Sequence, residues 1–169
     1  MRNKVLADAK RVIQIERKAL LNIEKNLDNS FSDAVDLIYK SKGRVVVTGV
    51  GKSGIIAQKI VATLNSTGTP AIFLHSADSV HGDLGMIQPR DVVICISKSG
   101  DTFELIQLLL AIKQFDVKII SIVGDTDSKL NDLSDVIIDA SITQEACPHN
   151  LAPTTSTTAA LVLGDALAI

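Results

Sequence analysis

Arg44-Val45-Val46-Val47-Thr48 runs directly into Gly49-Val50-Gly51-Lys52-Ser53-Gly54. An apolar run without alternation suits a strand covered on both faces, and the glycines after it suit a tight turn that opens a helix. A strand covered on both faces needs helices on each side of its sheet, so this stretch commits the chain to an α/β plan. The same layout recurs downstream. Short Val/Ile-rich strands end in hydroxyls, glycines or histidines and helices follow, so polar chemistry should gather at one sheet edge.

Ahead of the first strand, Val5, Ala9, Val12, Ile13, Leu20, Ile23 and Leu27 keep a 3.6-residue rhythm among charged residues, predicting a long amphipathic helix. Asp28-Asn29-Ser30 stops it, and Ser30 with Asp33 looks like the cap of a second helix ending near Lys40. This leading segment, residues 1–42, is expected to cover a sheet face or to contact another subunit. Strands are then expected over residues 44–48, 71–74, 91–96, 117–123 and 135–139, with helices over 52–66, 102–115, 128–133 and from 154 to the end. The fold expected is a three-layer α/β sandwich around a five-stranded parallel sheet, flavodoxin-like and preceded by two helices. The last helix lacks a glycine stop and a basic final turn, so the chain reads as cut inside it.

A 169-residue chain can bury about 70% of its unfolded surface in one domain without staples. Cys95 lies in an apolar strand and Cys147 in a polar loop, which suggests separate thiols in a reducing compartment, the cytoplasm by default. The net charge of −2, with no Trp and one Tyr, argues against a nucleic-acid partner. No apolar run approaches the roughly 18 residues of a membrane span, and the N-terminus lacks the apolar stretch of a signal peptide.

Gly49 to Gly54 formally matches the dinucleotide GxGxxG, but the second strand ends at His75 without the acidic residue that would hold a ribose. Nor is it a phosphate loop of the Walker type, since Val46 stands where a glycine is needed. What survives is an anion-compatible helix start carrying Lys52. Ser97-Lys98-Ser99-Gly100-Asp101-Thr102 and Thr154-Thr155-Ser156-Thr157-Thr158 open two further helices with more hydroxyls than capping requires, as phosphate cradles do. His75 and His81 flank a loop with no cysteine or close carboxylate to complete a metal set, and His149 sits beside Pro148. Glu104 lies in a first helical turn, where a carboxylate also complements the dipole. Glu145 stands in a long loop where neither capping nor side-chain pairing accounts for it.

Together with Ser66-Thr67-Gly68-Thr69-Pro70, His81-Gly82-Asp83-Leu84-Gly85-Met86, Glu145-Ala146-Cys147-Pro148 and Leu151-Ala152-Pro153, these motifs resemble the sugar isomerase (SIS) domain of the arabinose 5-phosphate isomerases, from about Gly43 to the end. The resemblance implies interconversion of D-ribulose 5-phosphate and D-arabinose 5-phosphate, which supplies Kdo and lipopolysaccharide. It also implies a homotetramer with shared sites. By motif it assigns Lys52, Glu104 and Glu145 to catalysis. Gly51, Ser53, Gly68, Thr69, His81, Ser97, Ser99, Thr102 and Ser156 fall to the substrate, along with residues 141–143 and the helix of Ala111. His75 resembles a histidine that can take zinc, incidentally or as an inhibitor, and no cofactor is required.

Lys98 and Asp101 depart from the Asn and Glu usual in such relatives, and both the terminal segment with a catalytic histidine and the paired CBS domains are missing. Rival readings are a non-catalytic phosphosugar sensor and an isomerase of a hexulose phosphate. A proton-transfer base working near neutrality needs a glutamate raised by roughly two to three units, which burial favours and Lys52 opposes. That argument selects the glutamate farther from Lys52, a distance the sequence does not give; the expectation adopted is Glu145 for proton transfer, with Glu104 and Lys52 handling ring opening and the oxyanion.

Overall fold

The computed structural model describes residues 2–76 and 83–169 of the chain. His81 lies outside the described residues. In order, the elements are α1 (Arg2–Asn26), α2 (Asn29–Lys40), β1 (Val45–Gly49), α3 (Lys52–Ser66), β2 (Ala71–His75), a 3₁₀ turn (Asp83–Met86), β3 (Val92–Ser97), α4 (Phe103–Ile112), β4 (Lys118–Val123), α5 (Lys129–Leu133), β5 (Val136–Asp139) and α6 (Thr155–Ala168). The sheet is parallel throughout, with strand order β2-β1-β3-β4-β5.

The unbroken Val/Ile runs have the cause expected of them, because both sheet faces are covered. Val45, Val47, Ile94, Ile96, Ile120 and Ile122 pack beneath α3 and α6, joined by Ile60, Leu64 and Leu163. Val46, Val93, Cys95 and Ile119 pack on the other face with Leu105, Leu108, Leu109 and Ile112 of α4. Each such side chain taken fully out of water contributes about 1.5–3 kcal/mol, so these two layers dominate the stability of the fold. The result is the three-layer sandwich.

Two local details differ from the sequence expectation. Asp28, not Ser30, caps α2: its carboxylate accepts from the Ser30 amide at 2.9 Å and the Ser30 hydroxyl at 2.6 Å. An ionised oxygen at the cap satisfies the first free amides better than a hydroxyl does. The helix expected to reach residue 115 instead ends at Ile112 and tightens into a 3₁₀ turn, Lys113–Phe115, with Asp116 left-handed behind it at φ 54°. The leading helices pack on the domain itself. Helix α1 contacts α6, and α2 contacts β5 and α6. Only Ala19 and Ile23 of α1 are buried, while Val5, Leu6, Ile13 and Leu21 are exposed.

Close contact between α3 and α6 depends on Gly164, where an added Cβ would stand 2.2 Å from Cδ1 of Ile60. Overpacking of this kind costs about 1–3 kcal/mol, so Gly164→Val should lower the urea midpoint accordingly. Ile60→Ala in the same chain should recover part of the loss, leaving the double variant more stable than the two single losses would sum to. Strict additivity would show that α3 and α6 do not meet there.

Candidate functional site

Strand order reverses direction between β1 and β3: the chain leaves β1 toward β2 on one side and later builds β4 and β5 on the other. In parallel sheets the crevice beyond such a reversal is where ligands bind. Register aligns Gly49 of β1 with Ile96 of β3, so the turn after β1 and the loop after β3 leave the sheet side by side. Gly51 takes φ 58°, a conformation that favours glycine, and it lets α3 begin immediately with Lys52. A Cβ on Gly54 would lie 2.7 Å from the Gly49 carbonyl, so the helix can approach its strand only without one.

A cleft at this edge is lined by Ser53, Ser97, Lys98, Gly124, Pro153 and Ser156. It draws on the turns after β1, β3 and β4 and on the start of α6. Ser97 is buried; its hydroxyl lies 3.2 Å from that of Thr102 and accepts from the Gly100 amide at 3.0 Å. The Ser99 hydroxyl accepts from the Asp101 amide at 3.3 Å. Lys52 and Glu104 are exposed in the first turns of α3 and α4, and neither has a hydrogen bond or ion pair among the described residues.

Glu145 does not line the cleft itself but bonds two residues that do, Lys98 and Ser156. Its side chain is fully buried, yet its carboxylate takes five donors. Oε1 accepts from the Ser156 hydroxyl at 2.6 Å and pairs with Nζ of Lys98 at 2.8 Å. Oε2 accepts from the Thr154 and Ser156 amides at 2.9 and 3.2 Å and from the Thr154 hydroxyl at 3.2 Å. Burial alone would raise this carboxyl, but the Lys98 ammonium, the Ser156 hydroxyl and the two amides together hold it down to about 2.

Two expectations change here. Glu145 does have a capping role, delivered from the preceding loop to the start of α6. Its donors also hold it ionised, a shift opposite in direction to the rise toward neutrality expected of the base. Sequence could not show this, because its donors come from residues 98 and 154–156.

The hydroxyl run opening α6 is also committed within the chain. The Thr154 and Thr155 hydroxyls accept from the Ala146 amide, Thr157 donates to the Thr154 carbonyl, and Thr158 reaches Glu16 of α1 at 3.2 Å. Gly68 and Thr69 precede β2 at the opposite edge of the sheet, beside Val35, Tyr39 and Leu167, and are not brought to the cleft. Ser141 follows β5 and donates its amide to Asp139 at 2.7 Å, and Ala111 lies in α4.

His75 ends β2, exposed and edge-to-face with Phe73 at 6.1 Å. Among the described residues no three His, Cys, Asp or Glu side chains come together to hold a metal ion, and His81, the other histidine of that loop, lies outside them. Cys147 is drawn below its ordinary value by the amides of Ala152, Leu151 and His149, whereas burial pushes Cys95 up to about 12. Two contributors escaped the sequence reading: Lys98, visible only as a departure from the resemblance, and Asn150, whose side-chain oxygen accepts from the Glu145 amide at 2.7 Å and so folds the loop back.

A family model for the SIS domain matches residues 37–169. The chain belongs to the SIS domain family. Among SIS relatives, the arabinose 5-phosphate isomerase KdsD of Pseudomonas aeruginosa is 51% identical over 161 residues, covering 95% of this chain and 49% of that protein. The arabinose 5-phosphate isomerase KpsF of Escherichia coli O6:H1 is 43% identical over 166 residues, covering 98% of this chain and 51% of that one. A solved SIS structure from Escherichia coli CFT073, in complex with arabinose 5-phosphate, superposes with a TM-score of 0.96 at 38% identity, covering 99% of this chain and 89% of that one. The chain spans about half the length of the curated relatives it matches.

Because Glu145 titrates lower in the fold than its ordinary 4.5, its contribution to stability is present above pH 4.5 and is lost as pH falls toward about 2. That contribution is roughly 3 kcal/mol, of the order expected when one partner of a buried pair is removed. Glu145→Gln should therefore be less stable than wild type at pH 7 by about that amount, and the two proteins should converge near pH 2 in urea melts. Parallel stability curves across this range would show that the carboxylate is not held by these donors.

Proposed function

We propose that the chain interconverts D-ribulose 5-phosphate and D-arabinose 5-phosphate by enediol proton transfer. The observation that carries this reading is the cleft at the strand reversal, with Lys52 and Glu104 at the neighbouring helix starts and serine hydroxyls beside them. The names of the KdsD and KpsF relatives and the arabinose 5-phosphate complex of the Escherichia coli neighbour support the substrate.

From the ketose, the base takes a proton from C1 and O2 gains one, which forms the enediol. A proton then returns to C2 while O1 gives up its own, leaving an aldehyde at C1. The electron pair stays within the sugar, so the transfer calls for no redox cofactor. Glu104 is the proposed base, because its carboxylate oxygens carry no hydrogen bond among the described residues and so keep lone pairs free. Lys52 would stabilise the developing enediolate oxygen. Ser53, Ser97, Ser99 and Thr102 would orient the phosphate end, and His81 the sugar.

Homotetramer assembly is part of the same proposal, supported by the exposed apolar residues Val5, Leu6 and Ile13 on α1. The free thiols Cys95 and Cys147 support a cytoplasmic setting, with the product feeding Kdo and lipopolysaccharide. Among the described residues, no helix is long and apolar enough to cross a membrane.

Incubated with D-ribulose 5-phosphate in D₂O and followed by NMR, the chain should form D-arabinose 5-phosphate carrying deuterium at C2. Glu104→Gln should lower kcat by about 10²–10⁴-fold and Lys52→Met by about 10²–10³-fold. Binding without deuterium exchange would replace the isomerase with a sensor, and preferred turnover of fructose 6-phosphate would move the substrate to a hexulose phosphate.

A further inference from the structure

Lys98 has an unusual setting for a loop lysine. Its side chain is 46% exposed, but its ammonium is tied at 2.8 Å to the fully buried carboxylate of Glu145. Ordinary surface pairs join two mobile side chains and are worth little. Here one partner is immobile. Glu145 is locked by the Thr154 and Ser156 amides and the Ser156 hydroxyl, so the carboxylate is a fixed post and Lys98 is aimed by it.

An ammonium has three donors and no acceptor, and the bond to Glu145 is the only one Lys98 makes among the described residues. Two donors remain, on a charge that lines the cleft beside Ser53, Ser97 and Ser156. The rotamer entropy that a free lysine loses on gripping an anion is already spent in this pairing.

We propose that Lys98 is a substrate-binding residue that grips the phosphoryl group of the ligand, with Glu145 as the residue that positions it. The proposal rests on the phosphosugar reading of the cleft and adds to it the cation that the serine hydroxyls do not supply. It also gives Glu145 a part in binding that does not require it to carry a proton.

Calorimetric titration with inorganic phosphate and with D-arabinose 5-phosphate tests this on wild type, Lys98→Arg, Lys98→Gln and Lys98→Met. Lys98→Gln keeps a donor for Glu145 without the charge, so it isolates phosphate binding even if Lys98→Met fails to fold. Both ligands should weaken by roughly tenfold or more in Lys98→Gln, as expected for losing one charge-assisted hydrogen bond, while Lys98→Arg stays within about threefold of wild type. Wild-type affinity for both ligands in Lys98→Gln would overturn the proposal. So would a loss confined to arabinose 5-phosphate, which would put Lys98 on the sugar instead. A wild-type chain that binds neither ligand would overturn the phosphosugar reading itself, and the Lys98 assignment with it.

Discussion

The functional edge of this molecule depends on one buried carboxylate. Glu145 ties the loop after β5 to the first turn of α6 through two amides and two hydroxyls, and it pairs with Lys98 on the loop after β3. A carboxylate taken out of water survives ionised only where its lone pairs are met by donors, and here five meet it. The loop after β3 is thereby held to the loop after β5 and the start of α6 at one point. If that charge were lost, the start of α6 and the aim of Lys98 would be released at once.

The sheet determines where that point falls. Parallel strands deliver every following turn to the same edge, and the reversal between β1 and β3 opens a crevice there. Gly51 and Gly54 let α3 start close to its strand, which presents Lys52 and Ser53. The loop after β3 presents Ser97 and Lys98, and α4 begins with Glu104 in its first turn. The chemistry therefore divides by burial. Lys52 and Glu104 are exposed and uncommitted among the described residues, which suits the reacting roles proposed for them, whereas Glu145 is buried and fully engaged.

Much of this was legible in the residues. Val45-Val46-Val47 and Ile94-Cys95-Ile96 announce strands buried on both faces, and the glycine-rich turn after β1 announces a helix start, because those features act over neighbours in sequence. Contacts between distant residues were not legible. Glu145 looked like a loop acid without structural reason because its five donors lie 9, 11 and 47 positions away. The hydroxyls of Thr154 to Thr158 looked like a ligand cradle for the same reason, since their partners, Ala146 and Glu16 among them, belong to other elements. Asp28 displaced Ser30 as the cap of α2 because the helix already begins at Asn29, so that the Asp28 carboxylate takes the Ser30 amide.

The account stands on Glu145 being a permanently ionised anchor rather than a titrating base. Selective ¹³C labelling of glutamate side-chain carboxyls, with the Glu145 resonance assigned by its loss in Glu145→Gln, measures this directly. The structure predicts a carboxylate that stays ionised as pH falls past the ordinary glutamate range and titrates only near 2. Titration at or above about 4.5 would contradict it, and would return to Glu145 the role of proton-transfer base.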